Sequence, residues 1–115
     1  MQENVPTSDR DSYRARLMAE RAELLAASEE TAGARRPVEL DQQSVGRLSR
    51  MDAMQNQAMA KGAEARRAAR LRLIESALAR LGTEDFGFCD DCGEEIEARR
   101  LDLDPALLRC LSCAR

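Results

Sequence analysis

Two Cys-x-x-Cys pairs, Cys89-Asp90-Asp91-Cys92 and Cys110-Leu111-Ser112-Cys113, stand near the C-terminal end of a chain that contains no histidine. Each pair can turn two sulfurs onto one side of a tight loop, and two such loops supply the four ligands of a tetrahedral thiolate site. The spacing predicts one structural zinc ion held by Cys89, Cys92, Cys110 and Cys113. Four thiolates leave no open position for a reacting water, which argues against a catalytic zinc. The rival reading, redox-active dithiols, needs only one Cys-x-x-Cys, and the strand pattern of a thioredoxin-like fold is missing. Gly93, directly after Cys92, lets backbone amides approach the sulfurs and spread their charge.

A chain of 115 residues cannot bury a large core, so a metal that staples one end contributes folding energy directly. The aromatic residues are Tyr13, Phe86 and Phe88 alone, and Ala, Arg, Leu and Glu dominate, a composition of long helices rather than of a sandwich or barrel. The expected fold class is all-α with a small zinc-binding module: an antiparallel two-helix coiled coil followed by a C-terminal four-cysteine zinc finger. The expected division is a helical hairpin over 1–83, with helices at about 9–31 and 41–81 and a turn at 32–40, then the finger over 84–115.

Periodicity carries that division. Tyr13, Leu17, Leu24 and Leu25, with Met18 beside them, recur at spacings of four and seven and predict one buried stripe. Ser8 or Asp9 is the expected N-cap. Gly33 is the expected left-handed C-cap, and Pro37 pushes Arg36 towards an extended conformation. Asp41 can cap the second helix, in which Leu71, Ile74, Leu78 and Leu81 have the three-four spacing of a coiled-coil seam. Met51, Met54 and Met59 are expected to fill the seam, with an adaptable docking surface as the other use of such side chains. Gly46 and Gly62 each weaken this helix by about 1 kcal/mol relative to alanine and mark places where it could bend.

The formal net charge of −3 conceals segregation: −3 over residues 1–34, +5 over 35–83 and −5 over 84–115. Arg66, Arg67, Arg70 and Arg72 form a basic flank able to contact phosphates, although arginines on a long helix more often form its solvated face. Asp90, Asp91, Glu94, Glu95 and Glu97, with the charge of four thiolates, would repel a nucleic-acid backbone, so the finger is not expected to read DNA sequence. The polar N-terminus has no secretory pattern and no stretch is apolar enough to span a bilayer. A cytoplasmic location is expected, where reduced thiols favour metal binding.

Helix, turn, long helix and terminal finger follow in an order that resembles the DksA/TraR family of bacterial transcription regulators. The run Gly87-Phe88-Cys89-Asp90-Asp91-Cys92-Gly93-Glu94-Glu95-Ile96, then Ala98-Arg99-Arg100-Leu101, Pro105 and Cys110-Leu111-Ser112-Cys113, is similar to that family's finger along its length. The resemblance implies a protein, not an enzyme, that binds RNA polymerase through the secondary channel by a coiled-coil tip, acting with the alarmone ppGpp. The Asp-x-x-Asp-x-Ala motif of the best-studied tips is absent from the turn. Glu39 and Asp41 are the acidic residues there, and Asp52, followed by Ala53, would serve if the hairpin turned near Gly46. On periodicity alone Asp52 is a solvated helix residue.

Two other function classes compete with polymerase binding. A helical interaction adaptor with a purely structural finger would act through its Leu/Met face and fail when Leu71, Ile74 or Leu78 is made polar. A nucleic-acid-binding finger would show affinity that falls steeply with salt.

Overall fold

The computed structural model describes residues 7–36 and 47–114. Helix α1 covers Thr7–Glu30, a 3-10 turn covers Ala32–Arg35, and α2 covers Arg47–Arg80. Two short helices follow, α3 at Ala98–Leu103 and α4 at Leu111–Ala114. The fold is an antiparallel two-helix coiled coil with a C-terminal four-cysteine finger. None of the described helices is long and apolar enough to cross a membrane.

Capping differs from expectation at both ends of α1. Ser8 and Asp9 lie inside the helix, Asp9 in its first turn where its charge complements the unpaired amides. Gly33 is not left-handed; the chain tightens after Glu30 instead, with the Thr31 hydroxyl donating to the Ala27 carbonyl at 2.8 Å and the Ala34 amide to the Thr31 carbonyl at 3.0 Å. A three-residue hydrogen-bond step satisfies the last carbonyls without positive φ. Arg36, which precedes Pro37, is extended as expected, at φ −65° and ψ 150°. Gly62 is accommodated within α2. Asp41 and Gly46 lie outside the described residues.

The chain forms two compact units, Met1–Ala22 with Arg70–Arg115, and Glu23–Ala69. In the first unit α1 and α2 run antiparallel: Arg10 donates to the carbonyls of Leu81 and Thr83, and Glu20 pairs with Arg70. The fully buried hydrophobic residues among those described all belong here. Tyr13 and Leu17 come from α1, Ile74 and Ala77 from α2, and Leu81, Phe86, Cys89, Ile96, Leu101 and Ala106 from the chain beyond it. Burying Leu17, Ile74, Phe86 or Leu101 is worth roughly 1.5 to 3 kcal/mol each. Leu71 and Leu78 of the expected seam are half-buried, beside buried Ile74 and Leu81.

The second unit, residues 23–69, is held by polar contacts. Glu64 accepts hydrogen bonds from the Ser28 hydroxyl at 2.9 and 3.0 Å and pairs with Arg35 at 3.2 Å and Arg67 at 3.1 Å. Arg67 also donates to the Thr31 hydroxyl at 2.9 Å, and the Gln57 amide donates to the Arg36 carbonyl. The Ser28 bond does most to hold the Glu64 carboxyl below its usual range; partial burial opposes it, and Arg67 and Arg35 add to it. Leu24 is half-buried and Leu25 exposed, so the expected stripe fades here, and Met18 of the first unit is exposed as well. The methionines do not fill the seam, because Met51, Met54 and Met59 are 56, 57 and 65% exposed.

Candidate metal centre and its supports

The first cysteine knuckle is built by backbone geometry. Phe88 and Glu95 form an isolated antiparallel bridge, the Cys89 amide donates to the Glu94 carbonyl at 2.8 Å, and the Gly93 amide donates to the Cys89 carbonyl at 3.0 Å. Closing that turn puts Gly93 at φ +79° and Gly87 at φ +92°, a region where a side chain is strained. The Asp91 amide points at the Cys89 sulfur, 3.4 Å away. The second knuckle is a single helical turn in which the Cys113 and Ala114 amides donate to the Cys110 carbonyl at 3.2 and 3.0 Å. Between the knuckles, the Asp90 amide donates to the Leu108 carbonyl at 2.8 Å.

Two cysteine pairs with seventeen residues between them thus converge. The four sulfurs of Cys89, Cys92, Cys110 and Cys113 lie within 4.8 Å of one another, and Cys92 Sγ is 3.6 Å from Cys110 Sγ. A tetrahedral ion with Zn–S of about 2.3 Å requires sulfur separations of about 3.8 Å. The donor set fits zinc in number, type and spacing, and all four cysteines are free of disulfides. Cys89 is buried, Cys110 and Cys113 are half-buried and Cys92 is exposed.

The electrostatics of the cluster favour a cation. Burial opposes ionisation of Cys89, yet the amides of Cys110, Cys92 and Asp91 outweigh it and lower its thiol to about 6. The Cys113 thiol is raised, chiefly by its contacts with Cys110, then Cys92 and Cys89. Four thiols so close cannot all ionise by themselves; a divalent ion removes that conflict.

The finger is fastened to the helix pair by pairings that sequence patterns did not give. The Tyr13 hydroxyl donates to Asp102, and the Tyr13 and Phe86 rings meet at 6.0 Å between centroids. Arg10 lies over the Phe86 ring at 5.6 Å. Arg70 grips Glu20 with one edge, at 2.7 and 3.0 Å, and Asp104 with the other, at 2.8 and 3.1 Å. Arg80 donates to the carbonyls of Asp85 and Phe88 at 3.0 and 2.5 Å. Asp104 also accepts from the Ala106 amide at 3.0 Å, a local turn that the Asp104-Pro105 dipeptide signals. Burial raises Asp104, but the Arg70 and Ala106 hydrogen bonds together outweigh it and leave its carboxyl lowered.

The expected basic flank is therefore divided. Arg67 and Arg70 are committed to ion pairs with Glu64, Glu20 and Asp104, while Arg66 and Arg72 are exposed. Asp90, Asp91, Glu94, Glu95 and Glu97 are all exposed and give the finger an acidic surface. Of the expected tip residues, Asp52 sits exposed in the second turn of α2. Glu39 and Asp41 lie outside the described residues.

A helical pair carrying a four-cysteine finger defines a class of zinc-finger proteins, and residues 84–115 match the prokaryotic dksA/traR C4-type zinc finger. Residues 84–115 are thus similar to the finger of the DksA/TraR family, and one structural zinc ion is the cofactor. It is 49% identical over 43 residues to the RNA polymerase-binding transcription factor DksA of Haemophilus influenzae, covering 37% of this chain and 30% of that protein. It is 42% identical over 43 residues to DksA of Escherichia coli, covering 37% of this chain and 28% of that protein. The match thus spans less than a third of these relatives' length. The fold is similar to the solved structure of the transcription factor DksA2 from Pseudomonas aeruginosa, with a TM-score of 0.73 and 27% identity over 94% of this chain and 81% of that one.

Proposed function

We propose that this protein is a zinc-containing transcription modulator that binds RNA polymerase, entering the secondary channel by the tip of its coiled coil. The observation that carries the reading is the fold match to DksA2 over 94% of the chain, joined to a finger whose relatives are named RNA polymerase-binding transcription factors. Cys89, Cys92, Cys110 and Cys113 are the zinc ligands and have a structural role. Glu39, Asp41 and Asp52 are the tip residues, ppGpp is the candidate co-effector, and the location is the cytoplasm. In this reading the protein acts by binding rather than as an enzyme.

The test is binding of labelled protein to purified bacterial RNA polymerase, with an established secondary-channel protein as competitor. Competitive displacement, weakened by substituting Glu39, Asp41 or Asp52 with alanine, supports the proposal; no binding at micromolar concentration rejects it. The exposed Met51, Met54 and Met59 favour a second reading, a helical adaptor that docks on another protein through this face. Ile74 is fully buried, so a polar residue there would test folding rather than docking. Met54→Glu is the cleaner variant for the adaptor reading.

A further inference from the structure

The chain between the two cysteine pairs carries α3 and, around its end, two carboxylates 2 positions apart that each hold a different helix. Asp102 accepts from Tyr13 of α1. Asp104 takes the outer edge of Arg70 of α2, at 2.8 and 3.1 Å, while the same guanidinium holds Glu20 of α1 at 2.7 and 3.0 Å. Beside them Leu101 is buried, as are Tyr13, Leu17 and Ile74 of the two helices. A metal joining Cys89 and Cys92 to Cys110 and Cys113 closes the loop that bears both carboxylates and restricts where they can go.

We propose that Asp102 and Asp104 are a clasp through which zinc occupancy of the finger sets the order of the helix-pair base around Tyr13, Leu17, Arg70 and Ile74. Without the metal the loop gains conformational freedom, the carboxylates release Tyr13 and Arg70, and α1 and α2 loosen on each other at this end. Asp102 and Asp104 are positioning residues: they touch no ligand and transmit its presence. The inference rests on zinc at the four cysteines and is independent of what the protein binds.

The full chain supplies its own reporter, since it has one tyrosine and no tryptophan. Tyrosine emission with acrylamide quenching, and amide exchange read by mass spectrometry, are compared at neutral pH for zinc-loaded and chelated protein. Chelation is expected to raise quenching of Tyr13 about threefold and to speed exchange in segments 13–21 and 70–78 about tenfold. The zinc-loaded double variant Asp102→Ala, Asp104→Ala, which removes both acceptors, should show the same loosening while it still binds one zinc and protects residues 88–96. Asp90→Asn with Asp91→Asn removes the same charge from an exposed turn and should leave Tyr13 shielded. Two results overturn the proposal: full shielding of Tyr13 and both helices in the zinc-loaded double variant, or chelation that opens residues 88–96 and leaves the helices untouched. If the double variant does not fold, Asp104→Ala alone is read at Ile74, where faster exchange supports the clasp and unchanged exchange rejects it. None of these readouts involves polymerase, so they stand whatever the binding assay gives.

Discussion

The Tyr13 hydroxyl donates a hydrogen bond to the Asp102 carboxylate across 89 residues of sequence, tying the first helix to the finger. Burial, then the Asp102 hydrogen bond and charge, push the phenol up to about 12. Because the folded-state value lies above the unfolded value, this stabilisation is fully present below pH of about 10 and is lost as pH rises from about 10 to about 12. Tyr13→Phe should cost about 1.5 kcal/mol at neutral pH. Denaturant titrations should show that difference shrinking through the alkaline window.

Arg70 is bonded on both edges, and Asp104 is part-buried beneath it. Arg70→Met leaves two carboxylates without their cation and should destabilise the protein by about 2 kcal/mol. Arg70→Lys should recover less than half, because an ammonium cannot meet two carboxylates with a planar fork. The lowered Asp104 carboxyl has the opposite sign to Tyr13. Its contribution is present above the ordinary carboxylate range and is lost as pH falls through the lowered value, so wild type and Arg70→Met should converge in stability in acid. Urea unfolding across pH measures both.

Two leucines of α3 separate burial from hydrophobicity. Leu101 is 2% exposed and Leu103 is 84% exposed. Leu101→Ala should cost about 2 to 4 kcal/mol, whereas Leu103→Ala should stay within about 0.5 kcal/mol of wild type. Thermal unfolding of the two variants side by side tests the placement of α3.

Removing a ligand should remove the ion. Cys92→Ser or Cys113→Ser leaves three sulfurs in a site whose thiols repel one another, so metal analysis should find the zinc stoichiometry near zero after mild chelation that spares the wild type. Amide protection of Cys89, Gly93 and Ile96, which depends on the knuckle, should fall with it.

Glu64 is the centre of the second unit's polar contacts. Glu64→Gln keeps its shape and removes its charge, so amide exchange over residues 27–35 should rise about fivefold while residues 88–96 stay unchanged. Equal rises in both segments would contradict a local role.

Local chemistry determined much of this protein. The cysteine spacing sufficed for the metal site because each knuckle is a short-range turn, closed by Gly93 at positive φ and by the amides after Cys110. The alternation of Tyr13 with Leu17, and of Ile74 with Leu81, likewise identified the buried faces of two helices, since one helical period decides which side chains share a face. The Asp104-Pro105 dipeptide carried a turn signal, but no partner. Only the tertiary structure decided that Asp102 meets Tyr13, that Arg70 joins Glu20 to Asp104, and that Met51, Met54 and Met59 stay outside. Those outcomes depend on the register of one helix against another and on where the finger returns to them. Register is set by the sum of many weak long-range contacts, and no single stretch of sequence contains it.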